Sequence, residues 1–383
     1  MKYNFDEIVN RENTNSVKFD LRKELFGKED VIPMWVADMD FRTPDFIINA
    51  IKKRAEHEVF GYSFRSKSYF QSIIDWVKRR HNWAVNSDWI SFSPGVVPAV
   101  NIAIMAYTNP GDEIIVQTPV YFPFFSAIKD NNRIQVENPL KLENGRYSID
   151  FEDLELKLQS AKVLLLSNPH NPGGSVWTKD ELKKLAELCI QNDVLIFADE
   201  IHADLVFRDY KFTAVASISD SIAENTITFI APSKTFNIAA LATSSVIISN
   251  SGLKEKYDKV LDTIHIGMGN VFGAVASEAA YTYGDEWLDQ LMAYLSLNLN
   301  FAEDFIENNI PQIKLIRPEG TYLVWLDCSM LDLKGKDLKD FMIHDAGIGF
   351  NDGRMFGTGG DGFMRMNIAC PKATLEKALD NLK

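Results

Sequence analysis

Cysteine is scarce in this chain: three residues in 383, at positions 189, 328 and 370. An odd, scattered set builds neither a disulfide framework nor a zinc knuckle, and no metal site is expected. Long apolar runs are missing too. No segment approaches the roughly 20 consecutive apolar residues of a membrane span. The start, Met1-Lys2-Tyr3-Asn4-Phe5-Asp6-Glu7, has no apolar stretch behind its lysine and does not read as a secretory signal. Unpaired cysteines without such a signal point to the cytoplasm. Positive charge is in deficit, with 40 basic residues against 53 acidic ones and a net charge of −13. A field of that sign disfavours nucleic acid and anionic membrane surfaces as partners. Repeats and low-complexity stretches are absent, and at 46% hydrophobic and 24% charged the chain is neither disordered nor fibrous.

What is present is a regular alternation. Val163-Leu164-Leu165-Leu166 reads as a buried strand, and the turn-rich Asn168-Pro169-His170-Asn171-Pro172-Gly173-Gly174 follows it. Thr178 and Glu181 then have capping-box spacing, and Leu182, Leu185, Leu188 and Cys189 recur at helical intervals. Val194–Ala198 is again strand-like and stops at Asp199-Glu200, while Thr226–Ile230 stops before Ser233-Lys234. Strands alternating with helices predict an α/β fold whose central sheet is mostly parallel and sandwiched by helices. Ligands of such sheets bind beyond the carboxyl ends of the strands. Asn171, Asp199 and Lys234 lie just past three predicted strand ends. Tyr121 holds a similar position after Glu113–Gln117 and the turn at Pro119. Together they form a constellation that none of them makes alone.

Each of these residues has a chemistry suited to that edge. An average lysine is a solvated charge, but Lys234 follows an apolar strand and precedes Phe236, Ile238 and Leu241. Desolvation there lowers an ammonium's pKa, as Schiff-base lysines require. Asp199 ends an apolar run, where a carboxylate without a cationic partner is costly. It is either a satisfied cap or ion pair, or the partner that keeps a heterocyclic nitrogen protonated. Asn171 is either turn chemistry or a donor to a phenolic oxygen, and the Tyr121 ring either fills core or stacks on a cofactor. Gly95, Val96 and Val97 open a helix after the strand-like 89–92, which offers free amides to a phosphate. Near the C-terminus, 363–369 alternates with period two and sets Arg365 and Asn367 opposite Met364, Met366 and Ile368. The Arg365 fork matches a carboxylate, or else a surface acid. The glycine-rich 357–362 lacks a following Lys-Ser/Thr and helix, so it reads as a turn rather than a phosphate loop.

With these segments in hand, the chain resembles the fold-type I pyridoxal 5'-phosphate (PLP) enzymes of the class I/II aminotransferase superfamily. The resemblance rests on 34–41, 61–63, 167–173, 199–202, 233–238, 319–327 and 365–371, in order and over nearly the whole chain. Within the superfamily it is most similar to the MalY/PatB group of cystathionine β-lyases. The resemblance implies a large PLP-binding domain over 46–285 and a small α+β domain built from 1–45 and 286–383. It implies that Lys234 carries the cofactor and then acts as acid and base at the substrate Cα. Asp199 would pair with the pyridinium nitrogen, Asn171 would bond the ring oxygen and Tyr121 would stack on the ring. The Val96 and Val97 amides after Gly95, with the Ser233 hydroxyl, would hold the phosphate. A tyrosine from a second subunit also touches it in this fold, and Tyr62 matches that position, so a homodimer is implied. Arg365, helped by backbone near Ala37, would bind the substrate carboxylate.

Two positions depart from the wider superfamily. Ala242 stands where many members have a phosphate-binding arginine, which shifts the phosphate toward amides, Tyr62 and the nearby Thr243 and Ser244 hydroxyls. His202, a cofactor-side residue, stands where many members have tyrosine, and the MalY/PatB group also reads histidine there. The implied reaction is β-elimination of a thiol from cystathionine- or cysteine-type substrates, leaving pyruvate and ammonia. A class I/II aminotransferase and a regulatory binding protein on the same fold are the alternatives.

Overall fold

A computed structural model describes residues 2–333 and 335–383. Among these residues the main sheet has seven strands: β1 (Ile90–Ser93), β2 (Glu113–Val116), β3 (Ile134–Glu137), β4 (Val163–Ser167), β5 (Leu195–Asp199), β6 (Thr226–Ile230) and β7 (Ser244–Ile247). Their spatial order is β1-β7-β6-β5-β4-β2-β3. Neighbours from β6 across to β3 pair in parallel, and β7 is antiparallel to both β6 and β1. Two reversals restore the direction, so β1 runs the same way as β6. The carboxyl ends of β1, β2, β4, β5 and β6 therefore share one edge, and the amino end of β7 joins them there.

The central strands are apolar throughout because both faces are covered. Alternation sends Val163, Leu165, Phe197, Ile227 and Phe229 into one core, with Val100, Ala103 and Tyr257 from the helices Val96–Tyr107 and Ser251–Thr263. It sends Leu164, Leu166, Ile196 and Ala198 into another, with Leu182, Leu185 and Cys189 of the helix Lys179–Gln191. That helix starts with the expected capping box, in which Thr178 Oγ1 accepts from the Glu181 amide and the Glu181 carboxylate accepts from the Thr178 amide.

A second sheet contains β8 (Lys314–Ile316), β9 (Leu323–Asp327), β10 (Asn351–Asp352) and β11 (Phe363–Asn367), in the order β8-β9-β11-β10. Near the start of the chain, Ile32–Pro33 pairs in parallel with Ile348–Gly349, which joins the two chain ends. The loop after β4 meets this region closely: the Glu319 and Gly320 amides both donate to Gly174 O. Gly174 has φ +75°, and a Cβ there would come within 2.5 Å of Pro318, so only glycine fits the junction. The glycine-rich 357–362 is a turn leading into β11, as its composition predicts. No helix among the described residues is long and apolar enough to cross a membrane.

Candidate active site

The shared strand edge surrounds a cavity of about 190 Å³ whose lining includes Ala37, Gly95, Val96, Val97, Tyr121, Asn171, Asp199, His202, Ser233 and Lys234. A wider groove of about 970 Å³ runs along Asp88, Trp89 and the Ser251–Thr263 helix, but none of the sequence-predicted residues lines it. Chemistry concentrates in the smaller space because desolvated ionisable groups converge there.

Lys234 sits in the helical turn Pro232–Thr235 after β6, and its Nζ donates to Ala37 O at 2.6 Å. Burial is the main force on it, and with the Arg365 charge it pulls the ammonium down to about 8, against the opposing pull of Asp38 and Asp199. Asp199, the last residue of β5, moves the opposite way. Burial pushes its carboxyl up to about 7, although the Ile201 amide donates to Oδ1 at 3.1 Å and Lys234 favours the anion. Both shifts have one cause, because a site poor in water penalises whichever form is charged. His202 is held down to about 3 by burial and then by Lys234 and Arg365, so its imidazole is neutral. Its ring packs edge-on to Tyr322 at 6.2 Å, and its Nδ1 is buried without a partner.

Arg365 on β11 is buried and lies against Asn171 in the cavity wall. Its Nη1 donates to Asn171 Oδ1 at 2.9 Å, and its Nη2 donates to Asn351 Oδ1 at 2.6 Å and to Trp35 O at 3.1 Å. Burial lowers this guanidinium to about 10. Its Nε is buried with no partner, leaving a donor available to a carboxylate. The same contact orients Asn171. Arginine has no acceptor, so the amide must present its oxygen to Arg365 and keep its NH2 for another acceptor. Tyr121 edges against Phe124 with ring centroids 5.8 Å apart, and burial raises its phenol.

Also lining the cavity, the 12-residue helix Val96–Tyr107 starts at Gly95, which has no side chain to cap it. Its first amides therefore remain available to an anion. Ser233 and Thr243 line the cavity too, and Thr243 Oγ1 is buried without a partner. The Ser244 hydroxyl is the correction: it donates to Ser93 O at 3.0 Å across the β7–β1 pair and does not face the cavity. Adjacent residues at the start of a strand point to opposite faces, so only one of the two hydroxyls serves the site. Two predicted residues are not among those lining the cavity: Arg365, which reaches it through Asn171, and Tyr62. The latter is 97% exposed in an extended stretch beside the exposed Val59, Phe60 and Phe64.

Several contributors escaped sequence reasoning. Asn351 fixes Arg365, and the only trace of this is that the two residues pair across β10 and β11. Ser167 lines the cavity as the last residue of β4, and its hydroxyl accepts from the Asn171 amide at 3.3 Å. Tyr322 donates to Ala37 O at 3.0 Å, the same oxygen that Lys234 uses.

The donor set suits a planar, basic heterocycle with an oxygen substituent and a phosphate. One cavity brings together a buried carboxylate, an amide NH2, the free amides of a helix start, the Ser233 and Thr243 hydroxyls and a lysine of lowered pKa. Residues 29–382 match the family described as Aminotransferase class I and II. The chain is 44% identical over 382 residues to the cystathionine beta-lyase PatB of Bacillus subtilis (strain 168), covering 99% of each. It is 32% identical over 384 residues to protein MalY of Escherichia coli (strain K12), covering 99% of this chain and 98% of that protein. The solved structure of cystalysin from Treponema denticola contains a pyridoxal 5'-phosphate cofactor. It matches with a TM-score of 0.97 at 40% identity, over 100% of this chain and 98% of that chain.

Proposed function

This chain belongs to the class I and II aminotransferase family, and from that premise we propose that it is a PLP-dependent carbon–sulfur lyase of the cystathionine β-lyase type. Its fold is that of the fold-type I PLP enzymes. The observation that carries the lyase reading over a transaminase is the full-length likeness to the Bacillus subtilis cystathionine beta-lyase. PLP, when bound, supplies an electron sink for the negative charge that develops at the substrate Cα.

The residues of this chain do the rest. Lys234 holds the cofactor and, once free, moves the proton at Cα, since an amine near pKa 8 exchanges protons readily at neutral pH. With PLP bound, Asp199 would keep a proton on the ring nitrogen, the Asn171 NH2 would donate to the ring oxygen, and Tyr121 would stack on the ring. His202, neutral and unpaired at Nδ1, borders the Asp199 side. The Val96 and Val97 amides after Gly95 would hold the phosphate with the Ser233 hydroxyl, and the unpartnered Thr243 Oγ1 could add a bond where Ala242 offers none. Arg365 binds the α-carboxylate through its guanidinium, whose Nε has no other partner, with the backbone at Ala37 beside it. This fixes the substrate so that the Cα–H bond is presented to Lys234. The Cβ–S bond then breaks, the thiolate leaves, and the released enamine hydrolyses to pyruvate and ammonia.

The active form in this reading is a cytoplasmic homodimer in which a second copy supplies Tyr62 to the phosphate. Residues 46–285 form the large domain, and 1–45 with 286–383 form the small one. That division agrees with the long helix Asp285–Asn309 starting at the boundary.

A product assay tests the function. The purified holoenzyme with L-cystathionine is expected to form pyruvate and homocysteine in equal amounts without any added keto acid. Product formation that depends on a keto acid would assign a transaminase instead. The Lys234→Ala variant is expected to lose the visible absorption of the lysine-bound cofactor, and retention of that band would refute the assignment of Lys234.

A further inference from the structure

The segment 35–41 crosses the active site as a strap with no regular secondary structure, yet its backbone is closely tied down. Its carbonyls accept from the residues of the site itself: Trp35 O from Arg365, Ala37 O from Lys234 and Tyr322, and Val36 O and Asp38 O from Asn367. A shift of this strap would move the partners of the amine and of the carboxylate fork together.

The outer side of the strap is held by charge. Arg11 grips Asp38 through two parallel bonds, Nη1 to Oδ1 at 3.0 Å and Nη2 to Oδ2 at 2.5 Å. The same Nη1 donates to Asp40 Oδ1 at 2.7 Å and to Met39 O at 3.1 Å. Lys18, fully buried, donates to both oxygens of Asp40 at 3.0 and 2.9 Å and lies 3.6 Å from Asp38. Two cations and two carboxylates thus form a neutral, largely buried cluster. Such clusters are weak sources of stability, because desolvation offsets most of the attraction, and they are better suited to fixing a geometry. This one also lies within electrostatic reach of the site, since Asp38 acts on both Lys234 and Tyr322.

We propose that Arg11 is a positioning residue of the active site, fixing the strap through Asp38 and shielding Lys234 from that carboxylate. The inference rests on the functional reading above, in which Lys234 carries the cofactor. The groups facing Lys234 are Asp199 and His202 from the β5 end, Arg365 from β11 and Asp38 from the strap, with the Tyr322 phenol between strap and sheet. Of these, only Asp38 has a charge balanced from outside the cavity.

The test is a pH titration of the visible absorption of the holoenzyme, which reports protonation at the nitrogen of Lys234. Removing the guanidinium in Arg11→Gln leaves Asp38 with only Lys18, which lies 3.6 Å away and is shared with Asp40, and a less compensated negative charge nearby favours the protonated nitrogen. The midpoint is expected to rise by about one pH unit, the scale of a partly screened unit charge nearby. Asp38→Asn removes that charge at constant shape, and its midpoint is expected to fall. Arg11→Lys keeps the charge but loses the fork, so its midpoint is expected to stay near wild type while KM rises. A contribution to folding alone would move none of the midpoints. Unmoved midpoints in Arg11→Gln and Asp38→Asn would overturn the proposal, and if Arg11→Gln does not fold, an unmoved midpoint in Asp38→Asn is sufficient. Absence of the band from the wild-type protein would instead overturn the functional reading.

Discussion

Burial acts on neighbouring carboxyls at the end of β5 with different consequences. Asp199 faces the cavity, whereas Glu200 turns into the core, accepts from the Val215 amide at 2.8 Å and is pushed up to about 8 by desolvation. Next to it, Asn168 donates to Thr213 O at 3.1 Å while its own Oδ1 is buried without a partner. The Asn168 side chain favours the Glu200 anion, but desolvation outweighs it. The folded pKa of Glu200 lies above the unfolded value of 4.5, so its contribution is fully present below pH 4.5. It is lost as pH rises, because the unfolded chain releases its proton first, and the loss is complete once the folded carboxyl titrates near 8. Glu200→Gln should abolish this dependence, since an amide is neutral at every pH and its oxygen can still accept from the Val215 amide. In thermal melts of the cofactor-free protein, the variant is expected to match wild type near pH 4. It should exceed wild type by an amount on the order of 2–4 kcal/mol at pH 8. A difference that does not change with pH would show that Glu200 is ionised in the fold.

Among the elements, the turn after Lys234 does more than carry the lysine. Asn237, at φ 57°, accepts from the Met39 amide at 3.0 Å and donates to Met39 O at 2.9 Å and Phe41 O at 3.0 Å. One side chain thereby attaches the strap to the turn that follows Lys234. Glycine tolerates the left-handed backbone, so Asn237→Gly removes the three bonds without adding strain. It is expected to lower stability by about 2 kcal/mol and to raise KM more than it lowers kcat, because the carboxylate subsite next to the strap loosens. Melting curves and steady-state kinetics measure both effects. An unchanged KM would show that the strap holds its place without Asn237.

These elements differ in how much of them could be read from sequence. The strands β4, β5 and β6 were legible because a strand buried on both faces is a short apolar run, and the polar residue ending each run marks the ligand edge. Lys234, Asp199 and Asn171 followed from that pattern. The strap was not legible as an anchor. Its bonds run to Lys234, Arg365 and Asn367, so nothing local encodes them. Thr243 and Ser244 could not be told apart either, because the facing of a strand's first residues depends on a register fixed by Ser93 and Phe92 across the sheet. Asn351 was missed for the same reason.

At the scale of the whole molecule, most exposed apolar side chains are scattered singly, but four fall together within residues 59–64. Tyr62 is 97% exposed and Phe64 89%, with Val59 and Phe60 also exposed, and a chain carrying −13 gains nothing in solubility from showing them. Contiguous exposed apolar side chains mark contact surfaces. The proposal that a second copy covers this stretch and receives Tyr62 at its phosphate has a consequence that ordinary mutagenesis cannot mimic. Lys234→Ala should be inactive, and Tyr62→Ala should bind PLP weakly. In a hybrid pair, one site lacks both residues. The other combines the Lys234 of one copy with the Tyr62 of its partner and is fully native. Subunits that reassort at random make half of the pairs hybrid, each with one native site of two. Mixing the two weak variants should therefore restore roughly a quarter of wild-type lyase activity at low PLP. Activity equal to the average of the two separate variants, under conditions where subunit exchange is demonstrated, would place Tyr62 outside the active site.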